Sequence, residues 1–152
     1  MTADLIAKGW PRQPGCKLCG ELETAMHLVF CCPLSHFNWW CVRDAFGWEH
    51  PPRSFEDFIE VALSKTGSKS NRLCWAIAGA LEWSIWTSRH DAVFNRKICS
   101  SALSNVFKTI SFLTQWTALL PEKLKARWRS MVEKLRMVAS KYKVVLARHG
   151  IG

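Results

Sequence analysis

The chain has 152 residues, of which 49% are hydrophobic and 22% charged, with nine Trp and eight Phe against six Pro and eight Gly. That balance describes a core-forming chain and excludes a disordered tail. The longest apolar stretch, from Leu73 to Leu81, ends at Glu82, far short of the roughly 20 residues of a bilayer span. The opening sequence MTADLIAKGW lacks the charged start and apolar run of a secretory signal, so an intracellular, reducing compartment is expected. The seven cysteines are odd in number, which excludes a fully paired framework within one chain, and in a reducing compartment clustered cysteines bind metal more often than they bridge. Net charge is +9 and unevenly spread: nine Lys or Arg and two Glu fall from Pro121 onward, a net +7, which leaves 12 basic and 10 acidic residues upstream. A basic arm on a nearly neutral body suits a polyanionic partner.

Three breaker-rich joints divide the chain, at residues 9–15 (GWPRQPG), 47–54 (GWEHPPRS) and 64–71 (SKTGSKSN), and Pro121 marks a fourth. They suggest a cysteine-rich region over 1–50, a helical region over 51–120 and a basic helix over 121–152. Between the joints the periodicity is helical, and no segment alternates with period two for long enough to predict a sheet. Phe55, Phe58, Ile59, Ala62 and Leu63 form one amphipathic stripe, with Ser54 as N-cap and Asp57 three residues on. Leu73–Trp86 is apolar on almost every side and predicts a helix buried by several neighbours. Trp75, Trp83 and Trp86 on it are expected in the core. Leu103, Val106, Phe107, Ile110, Leu113 and Thr117 form another stripe, preceded by Ser100 and Ser101 as caps. The expectation is an all-α fold, apart from a small turn at the first cysteines.

The last segment, from Glu122 to Arg148, carries an apolar seam of Leu124, Trp128, Met131, Leu135, Val138, Tyr142 and Val145 at alternating spacings of four and three, a heptad pattern. With Trp128, Leu135 and Tyr142 at a, the g row is basic (Arg127, Lys134, Lys141) and no acidic residue at e faces it. A self-paired coil would gain no cross-strand ion pairs. Apolar e positions widen the seam into a face for packing on the body, which is preferred over homodimerisation. Lys134, Arg136, Lys141 and Lys143 are then expected to form an outward basic stripe that contacts phosphates.

The chemistry-bearing pattern is Cys16-x2-Cys19-x7-His27-x4-Cys32. A CxxC pair sets two sulfurs on one side of a tight turn, and Gly20 lets the backbone fold back. Four N/S donors suit tetrahedral zinc, and a filled set leaves no position for a catalytic water, so the metal is expected to be single and structural. The fourth donor has two candidates. On an ideal helix Cys31 shares a face with His27, whereas Cys32 lies about 140° away. Cys32, however, precedes Pro33, and a pre-proline residue is pushed out of the α region, which can redirect it.

The segment CKLCGELETAMHLVFCCPLSHFNWW resembles the zinc-binding domain C-terminal to the polymerase in plant non-LTR (LINE-type) retrotransposon reverse transcriptases. The resemblance runs through CxxCG, Glu23-Thr24, His27–Phe30, Cys32-Pro33 and Trp39 or Trp40, and through the Thr2–Leu5 stretch ahead of them. Trp86-x2-Arg89-His90 with Phe94 is similar to the helix that follows in that family, although His90 stands where Asn is usual. The resemblance implies metal ligands Cys16, Cys19, His27 and Cys32, with Cys31 as the rival. It also implies RNA or DNA as partner, in keeping with the nucleus, and a polymerase domain outside this chain, of which this would be a C-terminal fragment.

The aspartates Asp4, Asp44, Asp57 and Asp91 are scattered, so no carboxylate cluster of the kind that holds two catalytic metals is present in the sequence. The expected function is therefore a non-enzymatic, zinc-stabilised nucleic-acid-binding module without sequence preference. A protein-interaction scaffold built on the heptad helix is the alternative, and a degenerate fragment without selected function is a third.

Overall fold

The computed structural model describes Gly9 and residues 15–64, 68–98 and 101–150. The Thr2–Leu5 stretch, most of the first joint and Ser100 lie outside them. A π-helical turn at His27–Cys31 is followed by α1 (Pro33–Phe46), α2 (Phe55–Ser64), α3 (Ser68–Phe94), α4 (Ala102–Trp116), a short 3-10 turn (Thr117–Leu119) and α5 (Glu122–Arg148). Among the described residues there is no strand, only an isolated antiparallel bridge between Gly15 and Leu22. No described helix is long and apolar enough to cross a membrane.

Local chemistry sets the helix ends. Pro33 opens α1, where its missing N–H costs nothing. Gly47 closes α1 at φ 65°, a left-handed conformation that glycine adopts without strain. At α2, Ser54 Oγ accepts from the Asp57 amide at 3.0 Å, and Asp57 Oδ2 accepts from the Arg53 amide at 2.9 Å. This is close to the expected capping box, with the return bond made one residue earlier. Ser101 caps α4 through the Ser104 amide at 3.1 Å. The final helix has the bounds read from its seam.

Helix α4 packs between α3 and α5, and α1 lies against both α4 and α5, while α2 rests on α3. One hydrophobic core draws Leu28, Trp39 and Val42 from the first region, Leu81, Ile85 and Ile110 from the second, and Trp128 and Leu135 from the third. A polar network crosses it. Ser84 Oγ bonds Thr109 Oγ1 at 2.7 Å, Asn105 Nδ2 donates to Ser88 Oγ at 2.8 Å, and Thr109 reaches Asn38 at 3.4 Å. Buried polar groups that find partners in this way fix the relative register of α1, α3 and α4.

The tryptophans of α3 depart from expectation. Trp75, Trp83 and Trp86 are 53%, 48% and 40% exposed, and among the described residues the most deeply buried indoles are Trp39 and Trp128. The face of α3 that meets its neighbours carries Leu73, Ile77, Leu81 and Ile85 among the small residues Ala78, Ala80, Ser84 and Ser88. Small side chains let α4 approach closely and leave no room for an indole. The large rings are turned outward and stack along the helix: Trp83 on Trp86 at 5.3 Å, Trp86 on His90 at 5.4 Å, and His90 against Phe94 at 4.7 Å.

Candidate metal centre

Cys16 and Cys19 sit on a tight turn. The Gly20 amide donates to the Cys16 carbonyl at 2.7 Å, and the Cys16 amide donates to the Glu21 carbonyl at 2.7 Å. Gly20 has φ 88°, so the reversal needs a residue without a Cβ. Thr24 Oγ1 accepts from the His27 amide at 3.0 Å and caps the helical turn that carries the imidazole.

That turn is a π-helix, and it ends where the backbone leaves the helix at Cys32. In a π-turn the amide of residue i+5 bonds back to the carbonyl of residue i. Here the Cys32 amide donates to the His27 carbonyl at 2.6 Å. The wider turn carries the chain to Cys32 before it closes on the His27 carbonyl. Cys32 also has φ −57° and ψ 133°, outside the α region as a residue before proline should be. The ligand atoms of Cys16, Cys19, His27 and Cys32 consequently lie within 4.8 Å of one another. The Cys19 sulfur is 3.2 Å from His27 Nε2. Cys31 is exposed and stands outside this group, whereas Cys16 and Cys32 are buried.

The donor set fits a metal ion. Tetrahedral ligands about 2.0–2.3 Å from zinc would sit roughly 3.3–3.8 Å apart, a modest contraction of the group as it stands. The electrostatics favour a thiolate. The bond from the Cys32 thiol, against the opposing effect of burial, holds the Cys16 thiol at about 5, with help from the Leu18 amide, His27 and the Cys19 amide. The same bond and burial push the Cys32 thiol up, and burial is also the leading cause that raises Cys19.

The surroundings fix the cluster to the helices. Glu23, fully buried between the two halves of the motif, receives Arg89 Nε at 2.8 Å and Arg89 Nη2 at 2.7 Å. The Trp39 indole donates to the Val29 carbonyl at 2.9 Å, and the Ser35 hydroxyl donates to the Leu28 carbonyl. Carbonyls of the π-turn that lack an intrahelical partner are satisfied by α1 in this way. The sequence motif contains both Glu23 and Arg89, but their pairing is long-range and nothing local signals it.

The four basic residues expected to form one stripe are divided. All are exposed on α5, but at 100° per residue Arg136 and Lys143 fall on one flank of the buried face, with Lys134 and Lys141 on the opposite flank. Arg136 reaches across to Thr114 of α4, while Lys141 lies close enough to Asp44 of α1 to influence its charge. The expected single outward stripe is therefore two rows, because the a and e positions, not the whole a/d/e face, are the most deeply buried (Trp128, Val132, Leu135 and Ala139).

No family model, curated protein or solved structure matches the chain.

Proposed function

We propose that this chain is a non-enzymatic module, held together by one structural zinc ion on Cys16, Cys19, His27 and Cys32, that binds RNA or DNA without sequence preference. The convergence of three sulfurs and one imidazole nitrogen within 4.8 Å carries the reading. That donor set is the soft, nitrogen- and sulfur-rich one that zinc prefers over magnesium or calcium, and four protein ligands leave no position open for a reacting water. The polyanion partner is supported by the net +7 of the last 32 residues, displayed on a helix whose apolar seam is covered by α1 and α4 through its middle, although Val145 at its end is exposed. A scaffold that worked through the same seam would have to detach the helix first. The resemblance to the zinc-binding domain of LINE-type reverse transcriptases gives the setting, in which the module holds template or target for a polymerase domain outside this chain.

The test combines metal analysis with binding. Protein purified without added metal should contain about one zinc per chain, and a mixed-sequence oligonucleotide should bind with an affinity that falls steeply with salt. A metal-free chain whose first fifty residues still resist protease would overturn the zinc. Absence of oligonucleotide binding at low salt would overturn the partner.

A further inference from the structure

We infer that single-stranded nucleic acid lies in the groove between α4 and α5, with its phosphates on the row formed by Lys125, Arg129 and Arg136. This rests on the nucleic-acid reading above and adds the surface and the form of the ligand. Two adjoining cavities of about 650 and 420 Å³ share Thr114 and Arg136 and together form an elongated groove along the α4–α5 contact. On α5 the three cations line its rim. On α4 its floor is formed by Phe107 and Ile110 together with the uncharged polar residues Ser111, Thr114 and Gln115.

The cations are available to an anion. Arg129 makes no ion pair among the described residues, and the Arg136 guanidinium meets only the exposed Glu133 at 3.9 Å and the Thr114 hydroxyl at 3.5 Å. The Thr114 proton is already given to the Ile110 carbonyl at 2.8 Å, so that hydroxyl orients Arg136 rather than competing for a ligand. Lys125 bonds Glu122 at 2.6 Å, a pair of neighbouring residues at a helix start that a phosphate can replace. Glu133 also lines the groove and is the single carboxylate among its lining residues.

A charged rim over an uncharged floor suits a strand whose bases are free. The phosphates take the guanidinium forks, and an unstacked base or sugar lies against the half-buried Phe107 ring. In a duplex the bases are stacked inside and would leave that floor bare. The opposite row (Arg127, Lys134 and Lys141) offers equal charge on the far flank, so charge number alone does not separate the two faces.

Two variants with the same loss of charge make the comparison: Lys125→Gln/Arg129→Gln/Arg136→Gln in the groove and Arg127→Gln/Lys134→Gln/Lys141→Gln on the opposite flank. Binding of a mixed-sequence single-stranded oligonucleotide is followed by fluorescence anisotropy across a salt series, with circular dichroism and zinc content as folding controls. Three lost contacts on a single strand should flatten the log K against log salt slope by about 2 and weaken binding about 100-fold near 0.1 M salt. The groove variant should show this, and the opposite variant should bind nearly as the unaltered protein does. Equal weakening in both variants, weakening only in the opposite one, or tighter binding of the matching duplex would overturn the groove while leaving the nucleic-acid reading intact. An unaltered protein that binds polyglutamate but no oligonucleotide would overturn both.

Discussion

The Arg89 guanidinium grips the Glu23 carboxylate with two parallel hydrogen bonds, 2.8 and 2.7 Å long, across 66 residues of chain. Glu23 is fully buried and the Arg89 side chain is 12% exposed, so neither charge has water to fall back on. The pair joins the cysteine turn to α3, and its value lies in what happens when one partner is missing. Arg89→Ala should cost about 3–5 kcal/mol, because the carboxylate is left buried without its counter-ion. Arg89→Lys should recover little, since an ammonium cannot reproduce the fork. Glu23→Leu with Arg89→Met should be milder than Arg89→Ala alone, as no charge then remains to be desolvated. Urea midpoints of the four proteins check this, and a cost for Arg89→Ala below about 1 kcal/mol would mean that the pair is solvated.

The π-turn makes a second expectation sharp. Cys31→Ser should leave metal content unchanged, and Cys32→Ser should release it, with loss of protection in the cysteine region. Structural zinc contributes about 10–16 kcal/mol in small finger peptides, so its loss would be visible as local unfolding. Metal analysis and limited proteolysis of the two variants provide the readout. Equal retention of zinc by both would overturn Cys32 as the required fourth ligand or show that the two sulfurs substitute for one another.

What the sequence makes legible follows from how local each cause is. The starts of α2, α4 and α5 are set by Ser54, Ser101 and Pro121, each acting within a few residues, and all three are visible in the sequence. The choice between Cys31 and Cys32 stays open at that level because ideal α geometry and the Pro33 constraint point opposite ways. It takes a change of helix type, with the Cys32 amide on the His27 carbonyl, to reconcile them. The outward position of the α3 indoles is hidden in the sequence for another reason. A helix apolar on nearly every side has no strong periodicity to mark its inner face, and Ala78, Ala80, Ser84 and Ser88, the small residues that mark it, are less hydrophobic than the rings that face outward. The division of the basic residues of α5 into two rows depends on which heptad positions α1 and α4 cover, a tertiary fact.

A pH dependence follows from the link between α5 and α1. Tyr142 Oη donates to Asp44 Oδ2 at 2.6 Å. That bond, then burial and the Asp44 charge, push the Tyr142 phenol up to about 12. Burial alone would raise Asp44, but the bonds from Tyr142 and Arg43 outweigh it and hold the carboxyl below its usual range. The phenol is raised on folding, so its contribution is complete below the unfolded value near 10 and is lost as pH climbs from about 10 to 12. The carboxyl is depressed, so its contribution is present above the unfolded value near 3.9 and is lost as pH falls below it. Tyr142→Phe should cost about 1 kcal/mol at neutral pH and remove the loss of stability between pH 10 and 12. Denaturation midpoints across pH for both proteins test the sign.

The outward indoles predict an unequal set of tryptophan variants. Trp128 is buried and donates to the Leu113 carbonyl at 2.7 Å, so Trp128→Ala removes core volume and leaves that carbonyl with the longer bond from Thr117 Oγ1 at 3.2 Å. It should cost about 3–5 kcal/mol, as should Trp39→Ala. Trp83 and Trp86 keep roughly half their surface in water and lose chiefly their mutual stacking, worth about 0.5–1.5 kcal/mol. Trp83→Ala and Trp86→Ala should therefore each fall near 1 kcal/mol, and each should reduce the fraction of tryptophan fluorescence that acrylamide quenches. Trp128→Ala in a folded background should instead leave that accessible fraction larger. Costs for the α3 variants as large as for Trp128→Ala, with no change in quenching, would place those rings in the core after all.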